Sequence, residues 1–209
     1  MADARNCEHC GVAFAPRREH ARFCSVRCRV AWNRAHSADP AAEMSALEWS
    51  LIAMRDVNDR LFRVRASDRA RAFALVGEAV WWVTIVDATL VRHHLDVYDA
   101  VLADYNPAER RLIDGTLAGL RFVRNQMGHD IDHVSFVRPG HRTPGDHRIC
   151  AWTWQQVPEP ELAFLEQRGK DWEMTRYQAY QAHLAGRPIG DVFGQAVSFL
   201  NRIAAKAVP

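Results

Sequence analysis

Residues 107–137 read PAERRLIDGTLAGLRFVRNQMGHDIDHVSFV, and the spacing of their apolar side chains decides the fold class. Stepped at about 100° per residue from Leu120, the side chains of Ile113, Leu117, Val123, Met127, Ile131 and Val134 fall within about 60° of one direction. That is the core-facing stripe of an α-helix. Asn106-Pro107 opens it, since proline is favoured at the first helical position. Arg138-Pro139-Gly140 closes it, so the helix is expected to run to about Val137. Phe122, Asn125, His129, His133 and Phe136 gather on the opposite face. A second semi-apolar stripe calls for a second packing partner, either another helix of the same chain or a second copy of the protein.

Helical spacing marks the neighbouring segments as well. Met44–Val64 carries Leu47, Leu51, Met54, Leu61 and Val64 at helical spacing. Ser67-Asp68 is a cap, and Asp68 to about Asp104 runs without proline as a long helix or a kinked pair. In that segment Val76, Val80, Val83, Asp87 and Leu90 form a stripe, which places Asp87 on an apolar face. A buried carboxylate needs a partner, and Arg124, on a core-facing edge, is the expected one. Downstream, PGHRTPGDHR (139–148) is a turn-rich loop. Ile149–Val157 is the best strand, with Trp152 and Trp154 on one face and Ala151 and Thr153 on the other. Core packing is the expected use of these tryptophans, and helix packing that of Trp81-Trp82. Helices are expected at Pro160–Gln167, Trp172–Ala185 and Pro188–Lys206, with Gly186 a stop.

The front of the chain differs. Cys7 and Cys10 form C-x2-C, and Cys24 and Cys28 form C-x3-C thirteen residues later. Four thiolates at this spacing suit tetrahedral zinc. Gly11 supplies a knuckle turn, and Val12, Phe14 and Phe23 suggest a short hairpin around Pro16–His20. A helix then begins near Cys24–Ser25, with Cys28 one turn in and Trp32 a turn further. Knuckle, hairpin and helix make a treble-clef arrangement. Four cysteines leave no open position, so the zinc is expected to be structural. A disulfide pair is the competing reading, and a cytoplasmic chain disfavours it. His9 and His20 are not needed as ligands, and Cys150 stands alone as a small buried hydrophobe.

The fold class is therefore mainly α: a small four-cysteine treble-clef zinc finger (1–36), a linker SADPAAE (37–43), a helical bundle (44–138), and a loop, short strand and C-terminal helices packing on that bundle (139–209). With 48% hydrophobic and 25% charged residues, the 209-residue chain can bury a sizeable core. Ala79–Val86, the longest strongly apolar run, is far short of a membrane span. The first ten residues show no secretory signal, so a cytoplasmic protein is expected. Net charge is +2, which excludes whole-chain electrostatic binding to nucleic acid. Residues 1–36 hold seven arginines against three acids, net +4. A zinc–tetrathiolate centre carries about −2 and halves that excess. His93-His94 point about 100° apart and share no metal. His141, Asp146 and His147 fit no familiar metal spacing.

Through CEHCG and FCSVRC, the first segment resembles the FCS-type treble-clef fingers of small bacterial proteins. The resemblance covers about a sixth of the chain and implies a module that binds nucleic acid or protein.

Within the central helix, RNQMGH (124–129) places Arg124, Asn125 and His129 as R-N-x-x-x-H. Asn125 and His129 share a face at i, i+4, whereas Arg124 lies about 140° from His129. This motif at the end of a helix, in an all-α domain with a long preceding helix, resembles the HEPN superfamily. The resemblance implies a metal-independent ribonuclease of bacterial toxin and defence systems, with RNA as substrate. It also implies a homodimer through the helix bearing Phe122, His129 and Phe136. In that chemistry His129 exchanges a proton with the ribose 2′-hydroxyl or the leaving 5′-oxygen, Arg124 neutralises phosphate charge, and Asn125 fixes a phosphate oxygen or the histidine. The alternative is a non-catalytic nucleic-acid- or protein-binding regulatory protein in which Arg124 and His129 are structural.

Overall fold

Around the first cysteine pair, β1 (Arg5–Asn6) runs antiparallel to β2 (Ala13–Phe14), with Arg5 opposite Phe14. The chain reverses between them through two backbone bonds. The Cys7 N–H donates to the Val12 carbonyl at 3.0 Å, and the Gly11 N–H donates to the Cys7 carbonyl at 2.8 Å. Gly11 has φ 72°, a conformation that glycine adopts without a Cβ clash. The hairpin thus brackets the knuckle; the one expected around Pro16–His20 lies outside the described residues. A computed structural model of the protein describes residues 4–15, 21–35, 40–65, 67–129, 136–138, 152–162 and 166–207.

The chain divides into two units, Met1–Ser45 and Ala46–Pro209. The first holds the β1–β2 pair and α1 (Val26–Ala35). α1 starts where the sequence places it: the Ser25 hydroxyl accepts from the Cys28 N–H at 3.1 Å, a standard N-cap bond. α2 (Pro40–Arg63) begins inside the stretch read as linker. Residues 40–43 are helical because proline fits a first helical position and two alanines follow it.

In the second unit, α2 buries Leu47, Leu51, Met54, Val57 and Leu61. α3 (Arg69–His93) and α4 (Leu95–Ala103) are a kinked pair. The Asp68 carboxylate caps α3 by accepting from the Arg71 N–H at 3.2 Å. His94 joins the two helices: its N–H donates to the Leu90 carbonyl at 2.8 Å, and its carbonyl accepts from the Tyr98 N–H at 2.9 Å. By length and composition α3 could cross a membrane. Its Val76, Val80, Val83 and Leu90 are buried in the core, which is where that apolarity is used.

α5 (Pro107–His129) opens with a reciprocal cap. The Asn106 Oδ1 accepts from the Ala108 and Glu109 N–H groups, and the Glu109 carboxylate accepts from the Asn106 N–H, forming a capping box. α5 packs on α3 along one side and on α6 (Gln167–His183) along the other. Two glycines one turn apart permit the second approach. A Cβ on Gly119 would lie 2.7 Å from Leu184 Cδ1 and 3.0 Å from Tyr180 Cα, and one on Gly115 would strike the His183 ring. α7 (Ile189–Ala207) lies against α3, α4 and α5. Its Ile189, Phe193, Leu200 and Ile203 are fully buried.

Three expectations change. The helix expected to reach Val137 has His129 as its last described helical residue, and Val137–Arg138 is a strand, β3. β3 pairs antiparallel with β4 (Thr153–Trp154), Val137 opposite Trp154, and the Phe136 carbonyl accepts from the Gln155 N–H at 2.8 Å. Cross-strand bonds thus replace helical ones just before Pro139, which disfavours helix at Arg138. Of the expected strand 149–157, only Thr153–Trp154 is strand within the described residues, because β3 offers two partners. Pro160–Leu162 is not helical. β4 is also fastened to the α6–α7 turn, where Gly186 and Ile189 donate to the Trp154 and Trp152 carbonyls at 2.8 and 2.7 Å. Trp152 and Trp154 are both buried.

Candidate metal centre and the Arg124–His129 segment

The four cysteines converge. Their Sγ atoms all lie within 4.8 Å of one another, with Cys10 3.7 Å from Cys24 and Cys24 3.5 Å from Cys28. A disulfide holds its sulfurs at about 2.05 Å, so these are separate thiols. A tetrahedral zinc site with bonds of about 2.3 Å has sulfur–sulfur edges of about 3.8 Å, and the observed spacings are of that size. Among the described residues no other group of three or more ligand-type side chains is this close. Cys150, His20, His133, His141, Asp146 and His147 lie outside the described residues.

Acidity points the same way. Burial works to raise the Cys7 thiol, but backbone N–H groups of Cys24, Cys10 and His9 outweigh it and bring the pKa to about 6. Cys24 is pushed up to about 12 by its interactions with the Cys28, Cys10 and Cys7 sulfurs. Sulfurs this crowded oppose one another's ionisation, and a dication between them removes that opposition. The donor set therefore fits a metal ion. Arg22 braces the unit: it pairs with Glu8, its guanidinium lies 4.8 Å from the Trp32 ring centroid, and Trp32 meets Phe23 at 5.5 Å.

Arg124 and Asn125 turn to different elements. Arg124 is exposed and places its guanidinium 5.4 Å from the centroid of Trp81 on α3. The expected Arg124–Asp87 pair is not formed. Asp87, 0% exposed, is paired with Arg121 and accepts from the Tyr98 hydroxyl at 3.0 Å. Register is the reason. Met127 packs on Gly77 and Arg124 on Trp81, so α3 and α5 run in opposite directions and Asp87 comes opposite Arg121. Burial raises the Asp87 carboxyl above its usual range although Arg121 and Tyr98 pull it down. Burial also raises Asp114 and the Tyr98 hydroxyl beside it.

Asn125 faces α6. Its Nδ2 donates to Glu173 Oε2 at 3.0 Å, Gln126 reaches Oε1 at 3.5 Å, and Arg176 pairs with Oε2 at 3.3 Å. Glu173 is 6% exposed, so this is a buried carboxylate held by two amides and a guanidinium. The side chain of His129 lies outside the described residues. The second stripe of α5 finds its partner within the chain. Phe122 meets Phe136, Tyr177 and Tyr180 with centroids 5.6–6.1 Å apart. Phe122 and Phe136 are therefore buried within the chain. Neither Arg121 nor Glu173 carries a motif. Only the register of α5 against α3 and α6 gives them their roles.

No family model matches the chain, and neither a curated protein nor a solved structure matches it.

Proposed function

We propose that the protein is a non-catalytic RNA-binding protein, made of a zinc-stabilised treble-clef finger and a HEPN-like helical body. The observation that carries this reading is the Asn125–Glu173–Arg176 network. An asparagine that fixes a phosphate oxygen needs a free amide, and this one donates to a buried carboxylate. The same carboxylate would repel a phosphate drawn up beside it. Zinc, closed in by four thiolates, is structural in this reading. RNA as partner rests on the HEPN-like motif and on exposed arginines. Arg27 and Arg29 stand on α1 beside Cys28, and Arg124 stands on α5; guanidinium groups suit backbone phosphates.

The second reading is a metal-independent endoribonuclease. One observation favours it: Arg124 is exposed, has no carboxylate partner among the described residues, and stands in the same last turns of α5 as His129. There His129 moves the proton and Arg124 stabilises the phosphate.

One experiment separates them. Purified protein is incubated with total RNA in EDTA, wild type beside His129→Ala, with folding checked by circular dichroism and zinc content followed. Binding of a labelled single-stranded RNA is read in parallel by anisotropy. The expected outcome is no cleavage by either protein, with salt-sensitive binding that Arg27→Ala with Arg29→Ala weakens. Cleavage by wild type alone would establish the nuclease. No RNA binding would overturn both readings.

A further inference from the structure

A cavity of about 370 Å³ opens beside the first turns of α3. Val76 of α3 and Met127 of α5 line it, with Phe136 and Trp152 from the segments that lead into β3 and β4. Phe73 stands on its edge, 47% exposed. Its size falls within the range of small-molecule sites, and its wall is the mixture such sites use: mostly apolar and aromatic, with few polar groups. Trp152 also carries a buried indole N–H with no acceptor among the described residues.

The polar groups at this cavity are cationic. Arg69, the first residue of α3, and Arg138 of β3 both line it and both are exposed. Neither has a carboxylate partner among the described residues. Four other arginines of this unit are paired with carboxylates: Arg60 with Asp56 and Glu78, Arg121 with Asp87, Arg176 with Glu173, and Arg202 with Asp104. Two unspent guanidinium groups on an apolar chamber suit a ligand with a hydrophobic body and an anionic head, because charge-assisted bonds to a carboxylate are the strong ones.

We infer that this cavity binds a small organic anion, an aromatic or medium-chain carboxylate, with its body against Val76, Met127 and Trp152 and its head between Arg69 and Arg138. All residues that line the site belong to the second unit, and the assignment is independent of whether the protein binds or cuts RNA.

The test is calorimetric titration of the full chain with 2-naphthoate and with uncharged 2-naphthamide. Wild type is compared with an Arg69→Gln/Arg138→Gln double variant and with Met127→Trp, which fills the chamber. Saturable binding of naphthoate is expected at one site per chain. The double variant, altered only at exposed positions, should lose about tenfold in naphthoate affinity and keep its naphthamide affinity. Met127→Trp, shown folded by circular dichroism, should lose both ligands. Absence of saturable naphthoate binding at millimolar concentration would overturn the assignment. So would equal binding of the two ligands that ignores the arginines. A mononucleotide that displaces naphthoate at lower concentration would assign the cavity to a nucleobase and overturn it as well.

Discussion

Asp87 has no exposed surface, and its carboxylate is held by Arg121 and the Tyr98 hydroxyl. Burial still wins: the carboxyl sits above the usual range. An acid whose pKa is higher in the folded than in the unfolded chain keeps its proton longer in the native state. Between the two values the native state holds more protons, so this group's contribution to stability is lost as pH rises through the folded pKa. The window opens near the unfolded carboxyl value, about 3.9, and extends upward. Asp87→Asn carries no titrating group there. It should therefore gain stability relative to wild type as pH rises from about 4 to about 7. Urea denaturation across that range checks this, and a constant difference would mean that Arg121 offsets the burial in full. That Asp87 is buried and needs a cation was legible in the WWVTIVDATLV pattern. Which arginine answers it was not, because Arg121 and Arg124 are three residues apart on one helix and only the register against α3 distinguishes them.

At the scale of the element, α5 is buried along two sides. Leu117, Leu120 and Val123 lie on the stripe opposite to Phe122, and all four are buried. The α6 side depends on glycine at positions 115 and 119. Gly119→Val should destabilise the second unit by about 1–3 kcal/mol, since backbone atoms of Tyr180 stand in the way of the new side chain. Gly128, in the last turn of the same helix, has nothing within 4 Å of the place a Cβ would take. Gly128→Ala should stabilise by about 0.5 kcal/mol through helix propensity. Chemical denaturation of the two variants beside wild type reads both effects, and equal effects would remove the close approach of α5 and α6 as their cause. The second stripe was visible in the sequence as Phe122 and Phe136. Its partner was not, because α6 lies far along the chain and its apolar residues form no clear helical face.

For the whole molecule, the two units rest on different stabilising forces. Residues 46–209 contain the buried core of α2–α7, whereas residues 1–45 bury little apart from Cys7 among the described side chains. A small unit with four clustered thiols is of the kind that a bound metal stabilises. Purified protein should carry one zinc per chain by elemental analysis. Chelation, or Cys28→Ser, should unfold the N-terminal unit and leave most of the helical circular dichroism in place. Loss of all helical signal on chelation would show that the units do not stand apart. The sequence by itself determined the mainly helical class, the four-cysteine cluster and the core stripes of α2, α3 and α5, because these follow from spacing along one chain and from ligand chemistry. The tertiary structure alone decided that Arg121 serves Asp87, that Asn125 serves Glu173, that α6 covers Phe122, and that Val137–Arg138 is a strand. Each of these depends on the register between segments far apart in sequence, where packing and backbone pairing outweigh local preference.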